Sequence, residues 1–401
     1  MTEKALAAAE TSRSLEDTYV LPTYAHIRLP LTLVRGVGSY VYDEEGTGYL
    51  DLYGGHAVSS IGHAHPRWVA DMQEQIATFA FYSNAVHSPV RGEAAEWLVT
   101  HSYPSMRAVF FANSGAEANE TAIKIARKTT GRPLIVSMNG GFHGRTLGAL
   151  GATGFPVLRQ RFPQNAEQWT RFFPLGDPDL FELPDPESIA AVLLEPVQSV
   201  AGVFAASEAY YRRLREYCSR QGICLIFDEV QTGTGRTGHW YAGTHWGVEP
   251  DIVTTAKGVA GGIPAGAVIV NERVASSVEP GDQATTFGGN PLAAAGIRAT
   301  YRIIEEEGLL ERVRMQSARV MEALRRTPGV REVRGLGYLI GIQCGVPAKR
   351  LQARLLRERI IVGTCSEAST IRLLPPLTLA GEEWDRFLGA FGSILGEQAS
   401  A

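Results

Sequence analysis

Lysine is scarce in this chain. Only five stand among its 38 basic residues: Lys4, Lys124, Lys128, Lys257 and Lys349. Cysteine is scarcer still. Cys218, Cys224, Cys344 and Cys365 form no C-x-x-C pair, which argues against a disulfide framework and points to free thiols in a reducing compartment. No uncharged apolar run reaches the length of about 18 residues that a membrane span needs. Glu3 and Glu10 interrupt the N-terminal apolar stretch, so a signal peptide is not expected and a cytoplasmic protein is. There is no long basic run, and 42 acidic residues outweigh 38 basic ones for a net charge of -4. The electrostatic footprint of a nucleic-acid binder is therefore missing, and small-molecule chemistry is the expectation.

What is present is an ordinary globular composition over 401 residues, 45% hydrophobic and 20% charged. At roughly 100–200 residues per domain, that length suggests two domains. Short apolar runs read as buried strands at Ala108–Asn113, Leu134–Met138, Ala190–Glu195, Cys224–Glu229 and Gly266–Val270. Amphipathic helices fall between several of them, at Ala116–Lys128 and Ser207–Gly222. Continuous apolar strands alternating with helices predict an α/β fold, a mostly parallel sheet covered on both faces. Ligands then bind outside the carboxyl edge of the strands. The flanks differ. Thr32–Leu52 reads as a small antiparallel meander, Leu292–Glu307 as a long helix, and Gly337–Gln343 and Thr370–Leu374 as further strands. The expected division is 1–52 as an N-terminal segment joining a small domain, 53–289 as the large domain, and 290–401 as the C-terminal small domain.

Lys257 is the one lysine that follows an apolar strand and precedes a glycine-rich turn, in DIVTTAKGVAGG. A desolvated amine at the ligand edge is what Schiff-base chemistry requires. Asp228 closes the strand ICLIFDEVQ. A carboxylate there suits the ring nitrogen of pyridoxal phosphate (PLP), whose protonation makes the ring an electron sink; a helix cap is the plainer alternative. In NSGAEANE, Ser114 is a helix N-cap and Gly115 lets backbone approach an anion, so a phosphate fits at this helix start. In FHGRT, Phe142 offers a face for stacking and Arg145 a carboxylate clamp. Arg372 sits in the otherwise apolar run IRLLPPL and needs a partner, either a substrate carboxylate or a structural ion pair. Two signals are set aside. Gly233–Gly238 matches G-x-G-x-x-G, but no amphipathic helix follows, so an NAD-dependent dehydrogenase is not expected. His63 and His65 lie in a loop beside Pro66 without a third ligand nearby, and no metal is expected.

The order of these motifs, ending in Asp-Glu-Val-Gln, Lys257 and Thr-Phe-Gly-Gly-Asn-Pro, resembles the class III aminotransferases of PLP fold type I. The resemblance runs from YLDLYGGHAVSSIGHAHP to IRLLPPLTL. Within that class the wording of GGHAV, FYSNAVHSPVR, NSGAEANE, FHGRTLGAL and DEVQTGTGRTG is most similar to the acetylornithine aminotransferases of arginine biosynthesis. It implies a mostly parallel seven-stranded sheet with helices on both faces, and a smaller α+β domain. It implies that Lys257 binds PLP covalently and shuttles the substrate proton, that Asp228 pairs with the ring nitrogen and that Gln231 reaches the ring hydroxyl. Val230 and Phe142 would take the two ring faces. Gly115 and Ala116, with Ser114 nearby, would hold the phosphate, and Glu195 would orient the cofactor side. Thr286 would complete the phosphate site of a neighbouring subunit, with Thr285 touching substrate, which implies a homodimer with active sites at the interface. Arg145 and Arg372 would clamp carboxylates of the amino donor and of 2-oxoglutarate. The implied reaction takes the terminal amino group of N-acetylornithine to 2-oxoglutarate; ornithine, succinylornithine, a carrier-bound lysine precursor and 4-aminobutyrate are alternative donors. One departure stands out. Many relatives carry a glutamate that masks the second arginine, whereas this chain has Val200, so Arg372 is expected to stay available.

Overall fold

Ile189–Leu194 is buried at all six positions, as a strand covered on both faces must be. It is one of seven strands in the central sheet. The computed structural model describes residues 15–24, 26–162 and 168–399. In chain order, β1 (Leu33–Val37), β2 (Tyr40–Asp43) and β3 (Gly48–Asp51) form an antiparallel meander. Its second turn is closed by Asp43, whose Oδ1 accepts from the backbone N–H of Glu45 at 3.0 Å and of Thr47 at 2.8 Å.

The large sheet follows with β4 (Met106–Ala112), β5 (Leu134–Met138), β6 (Thr170–Phe173), β7 (Ile189–Leu194), β8 (Cys224–Asp228), β9 (Ile252–Thr255) and β10 (Gly266–Asn271). Their spatial order is β4-β10-β9-β8-β7-β5-β6. Pairs among β9, β8, β7, β5 and β6 are parallel, and β10 runs antiparallel to both β9 and β4. The reversal has a simple cause: Thr255 to Gly266 is too short for a helical crossover, which needs about a dozen residues or more. Helices Gly115–Thr130 and Glu208–Gln221 cross over between strands; each opens on a serine cap, Ser114 or Ser207, and closes on a left-handed glycine, Gly131 or Gly222.

Asn113, Glu195 and Glu229 read as strand residues but lie just outside the ladder. Asn113 leaves it because its backbone N–H and its Nδ2 both donate to Glu117 Oε2, at 2.7 and 2.8 Å. Strands β6 and β11 (Val330–Leu336) were not legible in the sequence, being short or broken by charge (TRFF and VREVRGL).

A second sheet, in the order β11-β12-β15-β14, holds β12 (Leu339–Cys344), β14 (Gly363–Thr364) and β15 (Thr370–Leu373), all antiparallel. Between them β13 (Ile360–Ile361) joins the N-terminal meander, pairing parallel with β3 so that Ile360 faces Leu50. Leu50, Leu52 and Ile61 share one apolar cluster with Ile340, Ile371, Trp384, Phe387 and Phe391. Leu50 to Ile61, at the end of the meander, are thus tied to the C-terminal part of the chain. Helix Pro291–Glu306 spans both cores, giving Ala293, Ala294, Ile297 and Tyr301 to the large one and Ile303 and Ile304 to the small one.

Candidate active site

The carboxyl ends of β4, β5, β7, β8 and β9 release Asn113, Asn139, Glu195, Glu229 and Ala256 on one edge of the sheet. The chemistry-bearing residues gather there. Lys257 follows β9 in a left-handed backbone conformation, φ 46°, which is uncommon for any residue but glycine. Its Nζ has no hydrogen-bond partner among the described residues. Burial pushes the amine down to about 8, with Arg372 adding to the fall and Asp228 and Glu195 opposing it. A neutral, nucleophilic amine is therefore accessible near physiological pH.

That depression has a consequence for stability. In the unfolded chain the amine titrates at 10.5, and in the fold at about 8. Between those values the unfolded state holds the extra proton, so stability rises with pH across the window, and below it the full cost of burying the charge is present. Lys257→Met should stabilise the cofactor-free protein at pH 7 by at most about 3 kcal/mol, and the gain should vanish above pH ~10.5. Urea denaturation of both proteins from pH 6 to 11 checks this; parallel curves would refute a desolvated amine.

Asp228 ends β8 and is 2% exposed. Its Oδ2 accepts from Asn119 Nδ2 and from His143 Nδ1, each at 2.8 Å, and its Oδ1 accepts from the backbone N–H of Val230 at 3.1 Å. Asn119 is itself held: Thr254 Oγ1 donates to its Oδ1 at 2.7 Å, and its Nδ2 also donates to the His143 carbonyl at 2.7 Å. The carboxylate is thus fixed in orientation by Asn119, His143 and the Val230 N–H, with no arginine or lysine bonded to it among the described residues. Asn119 and His143 were missed in the sequence. The signal for Asn119 was there, a polar residue on the buried face of its helix beside Ala118 and Ala122. His143 sat inside FHGRT without a distinguishing mark; the structure buries it completely and leaves its Nε2 without a partner.

Glu195 accepts at both oxygens, from the Phe142 N–H at 2.8 Å and from the Ser199 N–H at 3.3 Å. It therefore ties the aromatic loop to the loop that meets Arg372. Burial raises its carboxyl to about 7, Asp228 adds to the rise, and His143 with the two backbone donors counteracts it. Arg372, 2% exposed on β15, donates from Nη1 to Ser199 Oγ at 2.8 Å and lies 3.4 Å from Gln231 Oε1. No acidic side chain pairs with it among the described residues, and its Nε is buried without a partner. The alternative of a structural ion pair is not what the fold contains. Val200 takes no part in masking it; its carbonyl accepts from the Ser366 N–H at 2.8 Å.

Ser114 caps its helix by accepting from the Glu117 N–H at 3.2 Å. Gly115 is required by space: a Cβ there would lie 2.9 Å from both methyl carbons of Val230. The helix start, Gly115 and Ala116 included, thus packs directly under Val230, which sits two residues past Asp228. The Arg145 guanidinium stands 5.5 Å from the Phe142 ring centroid, on the exposed side of the site. Thr285 accepts from Asn113 Nδ2 at 3.3 Å and borders a cleft of about 370 Å³ with Asn84, His87, Arg91 and Phe111. Thr286 is exposed beside Phe287 and is not joined to the Lys257 cluster of its own chain. His63 and His65, set aside as metal ligands, bond to Asp51 and Glu307 respectively.

Two further residues reach the site from the meander's end. Tyr53 and His56 hydrogen-bond each other, and Arg372 stands 5.9 Å from the Tyr53 ring centroid. Neither was singled out in the sequence, where they lie some 200 residues from Lys257.

Residues 23–395 match the protein family described as aminotransferase class-III. The acetylornithine aminotransferase of Methanopyrus kandleri is 41% identical over 386 residues, covering 96% of this chain and 98% of that one. The acetylornithine aminotransferase of Streptomyces coelicolor is 41% identical over 384 residues, covering 95% and 94%. Among solved structures, the acetylornithine aminotransferase of Elizabethkingia anophelis superposes with a TM-score of 0.84 at 29% identity, covering 97% and 99%. An ornithine aminotransferase of Toxoplasma gondii, with PLP partially occupying its active site, gives 0.89 at 27% identity and covers all of both chains.

Proposed function

The chain belongs to the class-III aminotransferases, and from that premise we propose that it transfers the terminal amino group of N-acetylornithine to 2-oxoglutarate, releasing N-acetylglutamate semialdehyde and glutamate. The single observation that carries the reading is the meeting, at one sheet edge, of a desolvated lysine amine, a buried aspartate bonded by Asn119 and His143, and a buried arginine that pairs with no carboxylate among the described residues. The curated relatives at 41% identity supply the donor.

PLP is the cofactor, and when bound it supplies an aldehyde that takes up amines and a protonated ring that accepts an electron pair. The residues fit it. Lys257 Nζ, otherwise without a partner, would attach to the aldehyde and then carry the proton that leaves the substrate carbon. Asp228, fixed by His143 and Asn119, would hold the ring nitrogen protonated. Val230 and Phe142 would enclose the ring, and Gln231 would bond its hydroxyl. The backbone of Gly115 and Ala116, beside Ser114, would take the phosphate at the helix start. Glu195 would set Phe142 and Ser199 in place. Arg372 would bind the α-carboxylate of 2-oxoglutarate. Arg145 would bind its distal one and the carboxylate of the donor.

We place the small domain at 1–52 with 290–401 and the large domain at 53–289; the pairing of β3 with β13 supports this division. We also propose a homodimer. Phe79, Phe81, Tyr82 and Phe287 are exposed, and the rings of Phe81 and Phe287 are tilted against each other at 47° with centroids 5.2 Å apart. Such a patch calls for a partner surface, and a second copy would bring Thr286 toward the neighbouring phosphate site and Thr285 toward substrate. Among the described residues no helix is long and apolar enough to cross a membrane; we place the enzyme in the cytoplasm.

The test is spectroscopic. N-acetylornithine added alone to the PLP-loaded protein should bleach the visible cofactor band, and 2-oxoglutarate should restore it. If ornithine, succinylornithine or 4-aminobutyrate does so at lower concentration, the donor assignment is wrong; if no amine does, the transferase reading is.

A further inference from the structure

The G-x-G-x-x-G run at Gly233–Gly238, set aside as a dinucleotide signature, takes no part in the chemistry described so far. It forms a succession of tight turns shortly after Asp228 and Gln231. The Gly233 N–H donates to the Glu229 carbonyl at 2.9 Å, the Arg236 N–H to the Gly233 carbonyl at 3.3 Å, and the Gly238 N–H to the Gly235 carbonyl at 3.0 Å. These turns press against the second sheet and its apolar cluster. Gly235 has φ 84°, and a Cβ on it would fall 2.9 Å from methyl carbons of Leu310 and Leu377. From the other side Gly337, in the turn between β11 and β12, comes so close that a Cβ there would fall 2.6 Å from the Arg236 carbonyl. Only glycine fits on both sides of such a contact.

Arg236 lies at its centre, 2% exposed. Its carbonyl accepts from the Tyr338 N–H at 2.8 Å. Its Nη1 donates to the Pro375 carbonyl and lies 3.5 Å from the Tyr338 carbonyl. No carboxylate bonds to it among the described residues, and burial pulls the guanidinium down to about 10, with Tyr338 and Asp51 opposing the fall. A buried guanidinium answered by carbonyls alone is a poor source of stability, since apolar residues of similar volume often do as well or better. What it does supply is a fixed connection. Pro375 lies just past Arg372 on the chain leaving β15. On either side of it, the Leu374 N–H donates to the Leu52 carbonyl at 2.8 Å and the Leu377 N–H to the Ser60 carbonyl at 2.7 Å. Earlier in the same loop as Arg236, Gln231 Oε1 lies 3.4 Å from Arg372 Nη1. One loop thus meets both the side chain of Arg372 and the backbone that follows it.

We propose that Arg236 is a positioning residue for glutamate and 2-oxoglutarate: it locks the chain leaving β15 to the loop that carries Asp228 and Gln231, and so sets where the Arg372 guanidinium stands relative to the cofactor pocket. This role rests on the assignment of Arg372 to the α-carboxylate in the proposed function, and adds the residue that places it. A carboxylate clamp works only if its fork is held in register with the reacting carbon, and small displacements of such a group are costly. N-acetylornithine, whose carboxylate is assigned to Arg145 on the loop after β5, draws much less on this lock.

Calorimetry with glutarate, a five-carbon dicarboxylate with no amine to react, measures the carboxylate site of the PLP-loaded enzyme. Single turnovers with glutamate and with N-acetylornithine give the apparent affinity in each half-reaction. Arg236→Met should weaken glutarate and glutamate about tenfold and N-acetylornithine by no more than about twofold. Arg236→Lys keeps the charge but offers a point donor in place of a fork, and its losses should fall between those of wild type and Arg236→Met. Arg372→Met should weaken glutarate more than either. Adding Arg236→Met to it should cost nothing further, because a residue that acts through Arg372 then has nothing left to place. Additive losses, or N-acetylornithine weakened as much as glutamate, would mean general packing and refute the proposal. So would an Arg236→Met protein that binds glutarate as tightly as wild type while Arg372→Met loses it; the proposed function then stands. If wild type binds no glutarate, or Arg372→Met binds it equally well, the assignment of Arg372 is itself overturned. Should Arg236→Met fail to fold, Arg236→Lys carries the same comparison, alone and combined with Arg372→Met, with the same outcomes deciding.

Discussion

Lys257→Ala should lower turnover of N-acetylornithine with 2-oxoglutarate by about 10⁴-fold or more, because in the proposed function one atom, Nζ, would serve as both the covalent anchor and the proton carrier. Among the described residues, Lys124 and Lys128 are engaged elsewhere: Lys124 bonds to Gln283, and Lys128 pairs with Glu279 and Asp282. His56 is held neutral and bonded to Tyr53, and His143 faces Asp228. The fold should survive, since a buried amine with no partner is removed. Steady-state rates, together with dialysis of the cofactor, check the expectation: PLP should dialyse away from the variant and not from wild type. Residual turnover within tenfold of wild type, or cofactor that stays bound through dialysis, would mean that another amine is the anchor.

Asp228→Asn should be almost as severe, for an electrostatic reason. Oδ2 receives two donors, from Asn119 and His143, and Oδ1 receives a third from Val230. An asparagine can satisfy the first two with its oxygen. Its NH2 must then point toward Val230 N–H and the ring nitrogen, donor against donor, and the negative charge is gone. Removing one partner of a buried charge pair costs about 3–5 kcal/mol, which in a rate is about 10²–10⁴-fold. The loss should appear in the chemical step of both half-reactions equally, because both draw on the same ring. Single-turnover rates with N-acetylornithine and with glutamate measure it. A loss confined to one substrate would place Asp228 at a substrate rather than at the cofactor. A melting temperature unchanged in the cofactor-free variant separates this from misfolding.

Much of this site was legible in the linear chain. Lys257 stood out because lysine is rare here and because a strand precedes it and a glycine turn follows. Asp228 and Glu195 stood at the ends of apolar runs, and Ser114-Gly115 carried the signature of a helix start. The large sheet was legible for the same reason, since strands buried on both faces advertise themselves as unbroken apolar runs. Short or charged strands such as β6 and β11 carry no such signal.

His143, Asn119, Tyr53 and His56 were silent for a different reason. Each is a common polar residue whose meaning comes from a partner distant in sequence: Asp228 for the first two, Arg372 for the others. The sequence by itself determined the alternation of strands and helices, the edge at which ligands bind, and the lysine that could serve there, because periodicity and burial are properties of a local segment. Only the tertiary structure decided that Arg372 meets a hydroxyl and an amide instead of a carboxylate, that Asp228 is oriented by a histidine and an asparagine, and that burial lowers the Lys257 amine. Those are properties of pairs. Desolvation and charge proximity depend on which segments are brought together, and no pattern within one segment records its neighbour.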